Sequence, residues 1–505
     1  MPSARPGRIF DPPLADPLRM RPFSLSILLI LAAASPLAAQ GVRLRAPKTA
    51  PMLAGIDSGA ARYADLARRI WGFAEVGYQE VKSSALLQTE LEAAGFTVTS
   101  GVAGEPTAFV AEYGSGKPVI ALLAEFDALP GLSQDSVPVR RPLRAGGPGH
   151  GCGHHLFGTG SAAAAVALQR WMRDNGVTGT LRVVGTPAEE GGSGKVFMVR
   201  DGVFADVDAA IAWHPGSDNS VYGEASTANI SGKFRFRGRA AHAAGSPERG
   251  RSALDAVEAM NVMTNMLREH VPQDTRIHYV ITKGGTAPNV VPDDAEVYYY
   301  ARHPDLKVTK DVWARIEDAA KGAATGTGTT YEVSIIGAVY SYLPNETLAR
   351  VQQRALETVG GFELSAAERD FAERLQQSEG FPAVPLETTT RVRPLTLGGH
   401  TPASTDVGDV SWVVPTVQVY TTTWVPGTAA HSWQATAAGG TSIGTKGMLV
   451  AAKSMALAAA ELFASPAIVA AAKAELAARR GPGFRYETVL GDRKPPLDYR
   501  AGSVP

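Results

Sequence analysis

From Ala61 the apolar residues recur at helical spacing, with Tyr63, Leu66, Ile70, Trp71 and Ala74 on one face. The residues before them, 41–60, read as a polar lead-in. A second helix is predicted over 83–94, stopped by Gly95. Strand-like runs follow at 107–113 and 119–124, the latter ending in Glu125-Phe126-Asp127-Ala128-Leu129-Pro130-Gly131. A run so continuously apolar suits a sheet covered on both faces. After a Pro/Arg/Gly-rich loop come His150-Gly151-Cys152-Gly153-His154-His155 and an Ala-rich helix over 158–174. A strand at 181–185 ends in Thr186-Pro187-Ala188-Glu189-Glu190-Gly191-Gly192. A helix over 194–201 leads to a strand at 209–212, ending in Trp213-His214-Pro215. This alternation predicts an α/β fold with a mixed sheet between helices.

Near residue 226 the rhythm changes. Strands at 231–237, 276–283, 295–302 and 330–339 and helices at 251–270 and 309–323 give the order β-α-β-β-α-β. That is a ferredoxin-like α+β unit, here an insert over 227–340. Long helices and Gly/Thr-rich loops resume at Pro344, including a helix at 445–462. The catalytic domain is thus expected in two parts, 50–226 and 341–480, followed by an irregular tail at 481–505.

The N-terminus reads as a secretory signal over 1–40. Arg5, Arg8, Arg19 and Arg21 precede the apolar run 23–34, and small residues follow it. This predicts export to the periplasm or medium, with no stable membrane insertion once the signal is removed. Met20 is an alternative start, and an uncleaved anchor is the rival reading of a run this short. No other apolar run stands out as a membrane span. Lys+Arg and Asp+Glu balance at 49 each, so no global field favours nucleic acid. Cys152 is the only cysteine, which excludes a disulfide within the chain.

Three of the ten histidines and that cysteine lie within six residues. Thiolate and imidazole together suit borderline-soft divalent metals; a polar turn is the bland alternative. Glu189-Glu190 follows a buried strand, so one carboxylate can hold metal while its neighbour moves protons. Ligands in open α/β sheets gather at the carboxyl ends of strands. The expected positions of Cys152 and His154, just before a helix, and of Glu190 and His214, just after strands, suit that edge. His214 and His431 are ambiguous taken singly.

Six stretches carry a resemblance: Ala124–Gly131, Gly149–His154, Gly185–Gly191, Ala212–Gly216, Gly238–His242 and Pro288–Pro292. Their order and spacing resemble the M20 metallopeptidases, in the amidohydrolase branch. The resemblance implies a zinc-peptidase-like catalytic domain with an inserted dimerisation or lid domain, and a homodimer. It implies two divalent ions, zinc or manganese, held by Cys152, His154, Glu190, His214 and His431. Glu189 would be the general base, and His242 a stabiliser of the oxyanion, reaching a second copy's site. Asn289 and Arg302 would contact substrate, and Asp127 would orient a ligand. His400 is a further substrate candidate, with a plain loop role as its alternative. His155 stands where many members carry Asp or Asn. The expected reaction is amide hydrolysis in N-acyl or aroyl amino acids, amino-acid conjugates or dipeptides. A peptide-cleaving metallocarboxypeptidase and an inactive metal-binding scaffold are the rivals.

Overall fold

The computed structural model describes residues 48–380 and 382–500; the signal expected over 1–40 lies outside them. Helices α1 (Ala50–Ser58), α2 (Ala60–Phe73) and α3 (Val81–Ala93) open the chain. The lead-in is therefore helical from Ala50, with Met52 and Ile56 buried. Its short, weakly patterned sequence concealed it. Strands β1 (Thr97–Ser100), β2 (Phe109–Ser115), β3 (Val119–Glu125), β4 (Gly179–Thr186), β5 (Ala209–Gly216) and β6 (Ser220–Tyr222) follow. Helix α4 (His154–Asn175) joins β3 to β4, and α5 (Gly194–Arg200) joins β4 to β5.

The insert comprises β7 (Ala228–Arg237), α6 (Ala253–Leu267), β8 (Arg276–Lys283), β9 (Asp294–His303), α7 (Leu306–Thr327) and β10 (Thr330–Val339). The chain then returns through α8 (Glu346–Val359), α9 (Ala366–Gln377), α10 (Val407–Val413), β11 (Thr416–Thr422), α11 (Trp433–Gly439), α12 (Ser442–Ala464) and α13 (Pro466–Arg480).

Seven strands form one mixed sheet in the order β1-β2-β4-β3-β5-β11-β6. Its centre, β4-β3-β5-β11, is parallel, and β2 and β6 join antiparallel. Every residue of β3 and β4 is buried. Successive side chains point to opposite faces, so both faces are covered. Helices α4 and α12 pack on one another and on this sheet. Although α12 is long and apolar enough to cross a membrane, 72% of its most apolar window is buried in this core. β11 sits between β5 and β6, where its Thr-rich sequence, TVQVYTT, gave no plain strand signal.

The second sheet is antiparallel, β10-β7-β9-β8, with α6 and α7 on it. Burial alternates along β9, as a sheet with one covered face requires. Its own core holds Phe234, Tyr299, Trp313 and Met260.

Candidate active site

The carboxyl ends of β3, β4, β5 and β11 lie along one edge of the parallel sheet, and a cavity of about 750 Å³ opens there. Cys152, Glu189, Glu190, His214, His431 and Arg302 all line it. His154 lies fully buried behind this wall. It opens α4 rather than preceding a helix at 158. The Ala-rich run alone placed the start at Gly158. That glycine is instead inside the helix, where a Cβ would fall 2.7 Å from the Glu125 carbonyl oxygen. Gly153, in the left-handed region at φ 79°, turns the chain into α4, and a Cβ there would strike Pro215 at 2.7 Å.

Three side-chain groups each bring their donor atoms within 4.8 Å of one another: Cys152–His154–His214, Cys152–Glu190–His431, and Glu125–His154–Glu189. Cys152 belongs to the first two, so one thiolate sits between two metal-competent sets. Its Sγ is 3.4 Å from His214 Nε2. His431 Nε2 is 3.3 Å from Glu190 Oε1. Asp127 reaches both sets: Oδ1 is 2.8 Å from His154 Nδ1, and Oδ2 accepts the Glu190 N–H at 2.9 Å. His214 Nδ1 donates to the Pro215 carbonyl at 2.7 Å, which turns Nε2 toward Cys152. His154 Nε2 and Glu190 Oε1 are buried and make no well-directed hydrogen bond, their neighbours being Glu125 Oε2 at 3.1 Å and His431 Nε2 at 3.3 Å. Buried donor atoms so poorly satisfied, on a sulfur, nitrogen and oxygen set, are what divalent metal ligation satisfies, so these residues fit two such ions.

The electrostatics follow from burial and crowding. Burial and the Glu190 carboxylate push the Cys152 thiol up, but the His214 and His154 rings outweigh them and bring it to about 5. Burial also raises Glu190, and His431 overrides it, bringing the carboxyl down to about 2. Glu189 is held well above the ordinary carboxylate range by burial and by Glu125, Glu190 and Asp406. The two adjacent carboxyls thus differ in character, Glu190 held charged and Glu189 held toward its protonated form.

Backbone strain concentrates here. Ala188, Ser193 and His431 are non-glycine residues at φ 56°, 58° and 59°. The first two bracket the Glu189–Glu190 turn. At His431 the N–H donates to the Gly151 carbonyl at 2.9 Å, tying that loop to the cysteine loop.

Other predicted residues fall outside the cavity. His150 and His155 are buried structural rings whose centroids lie 4.8 Å apart, with Nε2 atoms near the Ile70 and Gly439 carbonyls. Burial lowers His150 to about 4. His242 and Asn289 sit on the surface of the insert, joined by the Ala243 N–H donating to the Asn289 carbonyl at 3.0 Å. His400 is also at the surface, 3.7 Å from Asp274. None of the three lines this chain's cavity.

Sequence reasoning missed Lys195, Asp406 and the role of Glu125. Lys195 is fully buried, 2.7 Å from both Glu125 Oε1 and Asp406 Oδ1. Glu125 Oε2 in turn lies 3.1 Å from His154 Nε2. A lysine in the apolar segment GKVFMVR and an acid ending a buried strand were the available signals.

Residues 121–424 match the profile described as peptidase family M20/M25/M40. One of the p-aminobenzoyl-glutamate hydrolase subunits of Escherichia coli (strain K12) is 43% identical, over 81% of this chain and 90% of its own length. The Xaa-Arg dipeptidase of Mus musculus is 29% identical, over 84% of this chain and 91% of its own. Among solved structures, a dinuclear metal binding peptidase from the M20 family of Bacillus subtilis shares the fold. The TM-score is 0.52 at 19% identity, with 81% of this chain and 99% of that one covered. The chain is therefore a hydrolase of the M20 peptidase family, in the company of relatives that cleave amide bonds.

Proposed function

We propose that this protein hydrolyses the amide bond of N-acyl or aroyl amino acids, amino-acid conjugates or dipeptides. The observation that carries the reading is Glu189 on the cavity wall, outside the two donor sets that share Cys152 and grouped with His154, a member of one of them, within 4.8 Å. Cys152, His154, Glu190, His214 and His431 would hold two divalent ions, zinc or manganese. Bound there, the ions would supply Lewis acidity and an acidified water. Glu189 takes the proton from the attacking water and returns it to the leaving nitrogen. Asp127 fixes the ring of His154 and the backbone of Glu190 at once. Arg302 binds the substrate carboxylate through its planar fork.

His242 and Asn289 would act on the cavity of a second copy of the chain. Supporting this, β8 is an edge strand with Val280 and Ile281 exposed, and Val262 and Met266 are exposed on α6. We take the partner to be a second copy. Two different p-aminobenzoyl-glutamate hydrolase subunits of Escherichia coli are among the relatives, at 43% and 30% identity, which points to an unlike partner in that enzyme. No comparison therefore supports the homodimer. Sedimentation analysis of purified protein decides: a monomer overturns the interface. Export by the 1–40 segment is also proposed, and N-terminal sequencing of the protein from cell fractions tests it.

The decisive experiment is a screen of N-acyl amino acids and dipeptides on metal-reconstituted protein, with Glu189→Gln beside it. Wild type should turn over at least one class, and the variant should retain metal while losing about 10²–10⁴-fold in rate. Full activity in the variant overturns the base assignment.

A further inference from the structure

Beyond α13 the chain runs back to the cavity as a strap. The Gln79 side chain donates to the Leu497 carbonyl at 2.9 Å. The Tyr499 ring meets Tyr78 edge-on, with centroids 5.9 Å apart. Tyr499 Oη and Arg500 Nη2 both donate to the Glu190 backbone carbonyl, at 3.1 and 2.7 Å. Arg500 is thereby built into the cavity wall.

A second guanidinium, Arg302, enters the same cavity from β9. The two flank Tyr300. Arg302 lies over its ring, 5.3 Å from the centroid. The Tyr300 hydroxyl and Arg500 Nη2 are 3.0 and 3.8 Å from the point where a Cβ on Gly191 would sit. Each arginine has a buried Nε without a hydrogen-bond partner. Among the described residues neither guanidinium has a carboxylate within 4.0 Å. Three of the nearby acids are engaged elsewhere, Glu190 with His431, Asp406 with Lys195 and Asp218 with Arg393, and Glu189 acts on Arg302 only from beyond ion-pair distance. Two partly buried cations that form no ion pair, with only the longer-range fields of Glu189 and Glu190 acting on Arg302, lie on one side of one cavity and are a place for anions. A guanidinium fork matches a carboxylate bidentately.

We propose that Arg500, delivered by the C-terminal strap, forms with Arg302 a paired subsite that selects amide substrates carrying two carboxylates a few carbons apart. N-acyl derivatives of acidic amino acids are that class. The proposal rests on the amidohydrolase reading for the reaction but not for the binding.

Titration calorimetry on metal-loaded, full-length protein tests it with glutarate and butyrate, neither of which can be hydrolysed. Wild type should bind glutarate at least tenfold more tightly than butyrate. Arg500→Gln should shrink that ratio tenfold or more, and Arg500→Lys should restore part of it. Equal affinity of the two acids for wild type overturns the proposal, as does an unchanged ratio in Arg500→Gln. Tyr499→Phe removes the other donor to the Glu190 carbonyl while sparing the guanidinium. If it shrinks the ratio as much as Arg500→Gln, Arg500 merely anchors the strap and the proposal falls. Should Arg500→Gln fail to fold, an undiminished ratio in Arg500→Lys overturns the need for a fork. A parallel assay compares N-acetylglutamate with N-acetylglutamine. Loss of the glutarate preference in Arg500→Gln with no turnover of either amide by wild type supports the subsite and overturns only N-acyl hydrolysis at it.

Discussion

Glu189 and Glu190 are neighbours in sequence and opposites in chemistry. His431 stabilises the charge on Glu190, whereas Glu189 is surrounded by burial and three other carboxyls. The raised Glu189 must lose its proton before it can accept one from water. Activity should therefore rise with pH through that raised value, placing the acid limb of kcat/KM above the ordinary carboxylate range. A limb at or below about 4.3, the unperturbed glutamate value, would contradict the environment described. Asp127 gives a second residue-scale prediction. Asp127→Asn keeps the shape but loses the charge that holds His154 and one acceptor for the Glu190 N–H. Metal affinity should fall about 10–100-fold, read by competition with a chromogenic chelator. Cys152 and His154 stood out because cysteine and histidine are rare in this chain and crowd into one motif, whereas His214 and His431 were ambiguous singly and entered only with the family resemblance. Lys195 did not stand out, because a single lysine in an apolar segment reads as a solvated charge until its two buried carboxylates are seen.

At the level of elements, the parallel strands place the chemistry and the loops after them carry it. The strand ends at Glu125 and Thr186 hold Glu125 and present the Glu189–Glu190 turn, while α5 brings Lys195 to Glu125 and Asp406. This Lys195–Glu125–Asp406 triad is buried, so removing its cation leaves Asp406 uncompensated and Glu125 with His154 alone. Lys195→Met should destabilise the fold by about 3–5 kcal/mol, measured by denaturant unfolding of the metal-free protein. A change under about 1 kcal/mol would mean that the carboxyls simply protonate. Elements with strong periodicity or continuous apolar runs were readable: β3, β4, and the β-α-β-β-α-β order of the insert. Helix α1 and strand β11 were not, since a short helix of weak pattern and a Thr-rich strand acquire their identity only from the core they join.

Across the whole molecule, the site is assembled from distant parts of the chain. Cys152, Arg302, His431 and Arg500 meet at one cavity, so a ligand or ion there binds the folded state alone. Chelation should lower the melting temperature, and restoring zinc or manganese should raise it in proportion to the logarithm of free metal. An unchanged melting temperature would place the ions outside this constellation. The strap is the part that sequence could least reveal. Arg500 has no motif around it, and only the path of residues 481–500 over Tyr78 and Glu190 gives it a role.

The chain has one sulfhydryl, and it lies between both donor sets. Thiol chemistry therefore becomes a counting tool for this protein. Cys152 is mostly buried but lines the cavity, so a reagent small enough to enter meets a thiol held low by His214 and His154 when it is uncoordinated, and a shielded one when it is coordinated. One equivalent of a chromogenic disulfide reagent, consumed or refused, would report the loaded fraction of a preparation directly, without any substrate in hand.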